Sequence, residues 1–251
     1  MKKVLFIVTC ALAVGWQNLA AQGYHDYASG HARLYVGRIE PQYPQTLWHD
    51  NPYYKDDLSM SVGRVSYLGV VYDNVKLRYD LYKQKIAVLS PATNVFCLPE
   101  QEYIDWFELD GYRYVHDPAD AGRYVAVISD GSRNGVRLYR YIWKEYIGDA
   151  VFNGKYLKLL EYRERFIIMT ADGKSYHVKS LSDVVKIFPD QKDKLMAFSK
   201  ENRLGYRGKL REKGLSGLVG AIEGQGLAPT LPREGEANAR KVRNEKEVTL
   251  S

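Results

Sequence analysis

Between residues 60 and 178 the apolar positions fall in short β-branched and aromatic runs separated by turn signals. Val65-Ser66-Tyr67-Leu68-Gly69-Val70-Val71-Tyr72 is apolar on both faces, and Asp73-Asn74 predicts a break after it. Val75, Leu77 and Tyr79 then alternate with Lys76, Arg78 and Asp80, the period-two pattern of a half-buried strand. Residues 86–89 resume the pattern after a polar Lys83-Gln84-Lys85 turn. Residues 106–109 and 112–115 flank Asp110-Gly111, a dipeptide that accepts the positive φ angles of a tight hairpin. Residues 123–128 and 136–143 flank a loop at 130–135, and residues 166–170 and 175–178 flank Asp172-Gly173. Parallel pairing needs crossovers of about a dozen residues or more, and these connections are shorter. The pattern therefore predicts a mainly β protein, an antiparallel curled sheet of about nine or ten strands. A sheet of that size closes as a barrel or folds over as a sandwich, and the sequence leaves both open.

After residue 178 the period changes. Leu181, Val184, Val185 and Phe188 share one helical face, with Ser180 as N-cap, Asp183 in the first turn and Pro189 as the stop. Asp190 is placed to cap a second helix over 191–203, with Leu195 and Phe198 inward and Gly205 as its C-terminal cap. Leu215, Leu218, Val219 and Ile222 make a third apolar face, weakened by Gly214, Gly217 and Gly220. From residue 224 apolar content collapses into Pro, Gly and charges of both signs, the composition of a disordered tail.

The chain opens on Lys2-Lys3, an apolar run over 4–14 and a more polar stretch ending in Leu19-Ala20-Ala21. This is the layout of a secretory signal peptide, with cleavage expected after Ala21. The apolar core is too short to span a bilayer, which takes about 20 residues. Cys10 lies inside that core after Ile7-Val8-Thr9, unlike a lipidation site. The expected divisions are a signal peptide at 1–21, an irregular aromatic-rich segment at 22–58, an antiparallel β domain at 59–179, a helical segment at 180–223 and the tail at 224–251. Within 22–58, residues 33–39 are the one candidate strand. No transmembrane segment is expected in the mature chain, which is placed in the periplasm, at the periphery of an outer membrane or outside the cell.

The formal charge of +6 falls to +4 once Lys2 and Lys3 are removed, leaving Cys97 as the one cysteine of the mature chain. One cysteine closes no intramolecular disulfide, so stability must come from the core. Cys97, in the apolar run Val95-Phe96-Cys97-Leu98, reads as a buried structural thiol. A small, dispersed charge in an exported protein argues against nucleic acid as a partner.

Chemistry-bearing motifs are scarce. None of His25, His31, His49, His116 and His177 forms the paired helical spacing of a zinc protease. His25 and His31 are at most half a metal site. The context of Ser216 does not match a nucleophile elbow. The 130–135 loop has a calcium-loop flavour, but Arg133 and the missing terminal Glu argue for a plain hairpin loop. Glu100, Glu102, Asp105, Glu108 and Asp110 invite a glycosidase pair, yet Glu108 and Asp110 share one face of an alternating strand. No cofactor, metal or catalytic residue is expected. The chain carries 21 Tyr. β propensity accounts for most of those in strands. The aromatic residues of the N-terminal segment lack strand periodicity, which marks Tyr24, Tyr27, Trp48, Tyr53 and Tyr54 as candidate ligand- or partner-binding positions. The alternative is that they plug an open end or edge of the sheet.

The stretch Gly-Val-Val-Tyr-Asp-Asn-Val-Lys-Leu-Arg-Tyr-Asp-Leu-Tyr at 69–82 resembles secreted proteins of the Bacteroidota, as does Lys-Ser-Leu-Ser-Asp-Val-Val-Lys-Ile-Phe-Pro-Asp-Gln-Lys at 179–192. The resemblance covers most of 60–205 and implies an envelope location and a β-rich body before a short helical ending. It implies no activity and no catalytic residues. Together these features predict a noncatalytic binding or interaction protein of the cell envelope, whose partner is an envelope or outer-membrane protein or a glycan. A carrier of a lipid or other apolar ligand is the alternative, followed by a hydrolase of envelope polymers.

Overall fold

The computed structural model of the chain describes residues 31–44, 48–56, 60–132 and 135–224. The expected signal peptide and almost all of the expected tail lie outside them, as do Tyr24, Tyr27 and His25. The described residues divide into two compact units, one of those up to 111 with 146–160, the other of those in 112–145 with 161–224.

In the first unit the strands are β1 (Arg38–Ile39), β2 (Ser61–Tyr67), β3 (Val70–Asp80), β4 (Lys85–Leu89), β5 (Phe96–Leu98) and β6 (Ile104–Leu109), in the order β1-β5-β4-β3-β2-β6. All of their ladders are antiparallel. The β2–β3 turn is Leu68-Gly69, not the predicted break at Asp73-Asn74. Both turn residues take positive φ, 53° and 75°, as a tight hairpin requires. Asp73 and Asn74 lie inside β3, where they face Arg64 as a bulge between the pairs Gly63–Val75 and Val65–Tyr72. Asn74 supplies the left-handed backbone of the bulge (φ 56°), and Asp73 Oδ1 accepts from Arg64 Nε at 2.7 Å.

The strand predicted over 33–39 is broken. A single helical turn, α1 (His31–Leu34), precedes the two-residue β1. Gly37 marks the reason: a Cβ there would stand 2.1 Å from the Leu98 carbonyl oxygen, so the backbone touches its neighbour where a side chain would otherwise project. Alternation also predicts a wet face for β3, of Lys76, Arg78 and Asp80, and of these Lys76 alone is exposed. Val75, Leu77 and Tyr79 are buried as expected, but Arg78 and Asp80 are buried as well, because residues from 40 to 53 contact them.

The second unit holds β7 (Tyr112–Asp117), β8 (Asp120–Ser129), the residues of β9 (Arg137–Phe152) up to 145, those of β10 (Lys155–Met169) from 161, and β11 (Ser175–Val178), in sequence order. The predicted Asp110-Gly111 turn carries positive φ at both positions, 51° and 79°. The strand order returns to its first member in neither unit, so barrel closure is absent from both. Nor is a second sheet the covering layer of the second unit; helices are. Leu138, Phe166, Ile168 and Val178 pack against Val184, Ile187, Phe188, Leu195, Leu215 and Leu218 from α2 (Leu181–Ile187), α3 (Lys192–Glu201) and α4 (Leu210–Gly224).

The helix ends differ from prediction in instructive ways. Asp183 Oδ2 accepts from the Lys179 N–H and from Ser180 Oγ, both at 3.0 Å, and Ser180 makes no side-chain bond to the helix backbone. Asp190 does not cap α3. It sits in a 3₁₀ turn, Pro189–Gln191, which leads straight into the helix. The α3 C-terminus closes on Arg203 at φ 49°, with Leu204 N–H on Ser199 O and Arg203 N–H on Lys200 O. That is a Schellman arrangement built without the predicted Gly205. Gly205 has another role: a Cβ on Gly214 would stand 2.1 Å from the Gly205 carbonyl oxygen, so the missing side chain lets α4 approach the Gly205 backbone more closely than any other residue would allow. Of the glycines that weaken α4 as an isolated helix, Gly214 and, against Leu204, Gly217 are thus part of its packing, while Gly220 faces open space.

Candidate functional site

Among the predicted positions, Trp48, Tyr53 and Tyr54 are described, all in the first unit. Tyr43, which sequence reasoning passed over, joins two of them. Its ring meets Trp48 edge-on at 5.3 Å and Tyr53 edge-on at 6.0 Å. Tyr53 is 2% exposed and offers no face to solvent. Its hydroxyl donates to Glu40 Oε1 at 2.9 Å, and the Arg78 guanidinium lies 4.7 Å over its ring. Arg78 also stacks 3.8 Å over Phe96 and donates from Nε to Glu40 Oε2 at 2.8 Å. Tyr43 donates to Asp80 Oδ2 at 2.5 Å, while Asp80 Oδ1 accepts the Tyr82 and Lys83 N–H groups. Burial first, then the neighbouring Asp80 charge, pushes the Tyr43 hydroxyl far above the usual phenol range. Burial raises Asp80, opposed by its Tyr43 hydrogen bond. Both groups therefore hold their protons more tightly than in water. This cluster cements the N-terminal segment to β3, a strand flanked on both sides rather than an edge. Tyr54 opens a 3₁₀ turn and is half-buried, with Lys55 Nζ 5.6 Å over its ring.

Trp48 differs from Tyr53 in being half-buried. It forms an isolated parallel bridge with Lys158 on β10 and meets Tyr82 at 5.4 Å. Next to it, His49 stacks on Phe152 at 4.3 Å with the rings 19° apart. His49 N–H donates to Lys158 O, and Asp50 Oδ2 accepts the Leu160 N–H at 2.7 Å. Residues 48–50 thereby run along the outer part of β10, within the first unit.

The outer parts of β9 and β10 were not predicted. They meet at Asn153-Gly154, with φ of 50° and 75°, the dipeptide that most strongly signals a two-residue hairpin. Tyr146, Ile147, Val151, Phe152 and Tyr156 on this ribbon are between 41% and 74% exposed. Ile147 and Val151 alternate with Tyr146 and Phe152, so neighbouring positions on opposite faces both turn apolar groups to solvent. A solvated strand face is ordinarily polar, so this concentration is a candidate contact surface.

The residues weighed for other chemistry go to separate structural tasks. Asp105 Oδ2 accepts from Ser66 Oγ and the Gly69 N–H, Glu108 pairs with Arg64, and Asp110 pairs with Lys55. Cys97 is buried, with Sγ 3.4 Å from the carbonyl oxygens of Tyr35 and Val88, and burial raises its pKa. The His31 side chain is outside the described atoms, and among the described residues no three His, Cys, Asp or Glu side chains gather as a metal site. Among the same residues no helix is long and apolar enough to cross a membrane.

No protein-family model matches this chain, and no curated protein or solved structure matches it. Fold and surfaces together define a class: an antiparallel β protein of two units, with a buried arginine–tyrosine cluster and an exposed apolar ribbon in the first.

Proposed function

We propose that this chain is an exported, noncatalytic binding module of the cell envelope. It meets a protein or glycan partner through the outer β9–β10 ribbon and the Trp48-His49 segment that runs along it. The observation that carries the contact is the ribbon itself, with Ile147 at 51%, Val151 at 60% and Tyr156 at 74% exposure. Leaving those groups in water forgoes roughly 25 cal/mol for each Å² of apolar surface, a loss that a partner recovers by covering them. Export rests on the basic, apolar and small-residue succession over 1–21. Tyr and Phe are suited to the task because they bring large contact area with few rotatable bonds.

A photo-crosslinking residue at position 156, expressed in a native envelope, tests the proposal. One discrete envelope component should crosslink at 156 and not at a control position such as 186 on α2. With the crosslinking residue kept at 156, the double substitution Ile147→Ser, Val151→Ser should abolish the crosslink while leaving the unfolding midpoint within a few degrees of the parent. Equal labelling at both positions, or none at 156, would refute it.

A further inference from the structure

The sheet of the second unit has a second face, turned away from the helices, and its chemistry is different. Val125, Tyr139, Tyr141, Ile167 and Met169 form its buried floor, with Val115, Val127 and Trp143 packed against them. Tyr141 and Trp143 stack at 4.6 Å with rings 12° apart. Two guanidinium groups lie on that pair: Arg123 over Tyr141 at 5.0 Å and Arg165 over Trp143 at 5.3 Å. His177, the register partner of Ile167, stands on the same face and is exposed.

The two arginines are not equivalent. Arg123 is ion-paired with Asp117 at 3.0 Å and Asp120 at 3.1 Å. Half-buried Arg165 is repelled by Arg123 and attracted by the Tyr141 hydroxyl, and among the described residues it forms no ion pair with a carboxylate. A guanidinium offers five N–H donors in a planar fork, and stacking on an indole occupies its face but not its edge. We propose that Arg165, with Arg123 and His177 beside it and Trp143 beneath it, binds an oxyanion, the carboxylate or phosphate group of a small ligand.

The electrostatics of the face support this. Burial and the Arg123 charge hold Arg165 below the usual guanidinium range. Burial, then Arg165 and Arg123, and finally Lys179, hold His177 down to about 4, with Asp117 opposing them. Positive charge from Arg123 on β8, Arg165 on β10 and Lys179 after β11 thus outweighs Asp117 of β7 at His177. An oxyanion at the Arg165 fork relieves that imbalance and forms charge-assisted, bidentate hydrogen bonds. This site is separate from the ribbon of the first unit, so the fate of either proposal leaves the other standing.

The test uses the full chain, labelled for arginine Nε and histidine ring resonances by NMR. It is titrated at pH 6 with sodium acetate or inorganic phosphate against sodium chloride at equal ionic strength. At least one oxyanion should shift the Arg165 Nε signal saturably and raise the His177 titration midpoint. Saturation by acetate assigns a carboxylate ligand; saturation by phosphate alone assigns a phosphoryl one. Arg165→Gln should weaken binding at least tenfold with an unchanged unfolding midpoint, and Arg165→Lys, which keeps the charge and loses the fork, should fall between. Shifts that match chloride for both probes, or saturation that survives Arg165→Gln, overturn the site.

Discussion

Arg78 and Glu40 form an ion pair that is 8% and 4% exposed, joined by the Nε–Oε2 bond at 2.8 Å and a second bond from Nη2 to the same oxygen. The carboxylate's other oxygen accepts the Tyr53 hydroxyl. Phe96 and Tyr53 sandwich the guanidinium. Removing one partner of such a pair strands a charge out of water.

Arg78→Met and Glu40→Leu are each expected to cost about 3–5 kcal/mol in urea unfolding. The double substitution Glu40→Leu with Arg78→Met should cost clearly less than the sum, since it strands neither charge. Strict additivity would show that the pair is not coupled.

Two glycines of α4 should respond with opposite signs. A Cβ at Gly214 meets the Gly205 carbonyl oxygen at 2.1 Å, whereas at Gly220 it meets nothing within 4 Å. Gly220→Ala should stabilise by about 0.5–1 kcal/mol through helix propensity. Gly214→Ala should destabilise by about 1–3 kcal/mol, as overpacking does, despite the same propensity gain. Thermal midpoints of the two variants, compared with the parent, decide the matter.

His177 gives a pH dependence with a definite sign. Its folded-state pKa of about 4 lies below the ordinary 6.5, so protonation favours the unfolded chain. The stability it contributes is complete above 6.5 and is lost as pH falls through about 4. Because the side chain is exposed, solvent screening limits the loss to the order of 1 kcal/mol. His177→Gln should flatten that part of a stability-versus-pH profile. An unchanged slope between pH 6.5 and 4 would place the responsible group elsewhere.

Cys97 should be inert. It is 5% exposed and its pKa is raised by burial, both of which suppress the thiolate that alkylating reagents need. Pulsed iodoacetamide at pH 8, read from the peptide bearing Cys97, should label the native chain at least tenfold more slowly than the urea-unfolded one. Comparable rates would mean that this part of the first unit opens readily.

Much of the strand content was legible because turn chemistry and side-chain period are local. Asp110-Gly111 and Asp172-Gly173 mark turns by what their own backbones tolerate, and Gly111 and Gly173 take positive φ. The same rule misled at Asp73-Asn74, where a bulge satisfies the same backbone preference inside a continuous strand. Asn153-Gly154 was legible too, but the polar and mixed residues at 144–150 and 155–165 obscured the long strands on either side of it.

The candidate site was less legible. Trp48 was singled out by its type, while Tyr43, Glu40, Arg78 and Asp80 were not, since charged residues in an alternating strand read as a solvated face. Glu40 and Arg78 are 38 positions apart, and no local period links them.

By itself the sequence determined an antiparallel, hairpin-connected β chain with a helical ending, because φ preferences and the two- and 3.6-residue periods act over a few neighbouring residues. Tertiary structure alone decided which polar residues are buried, that α4 meets the Gly205 backbone at Gly214, and that Arg165 lies over the Trp143 ring. Those outcomes depend on which distant segments come into contact, and burial and electrostatics are set by that contact rather than by chain neighbours.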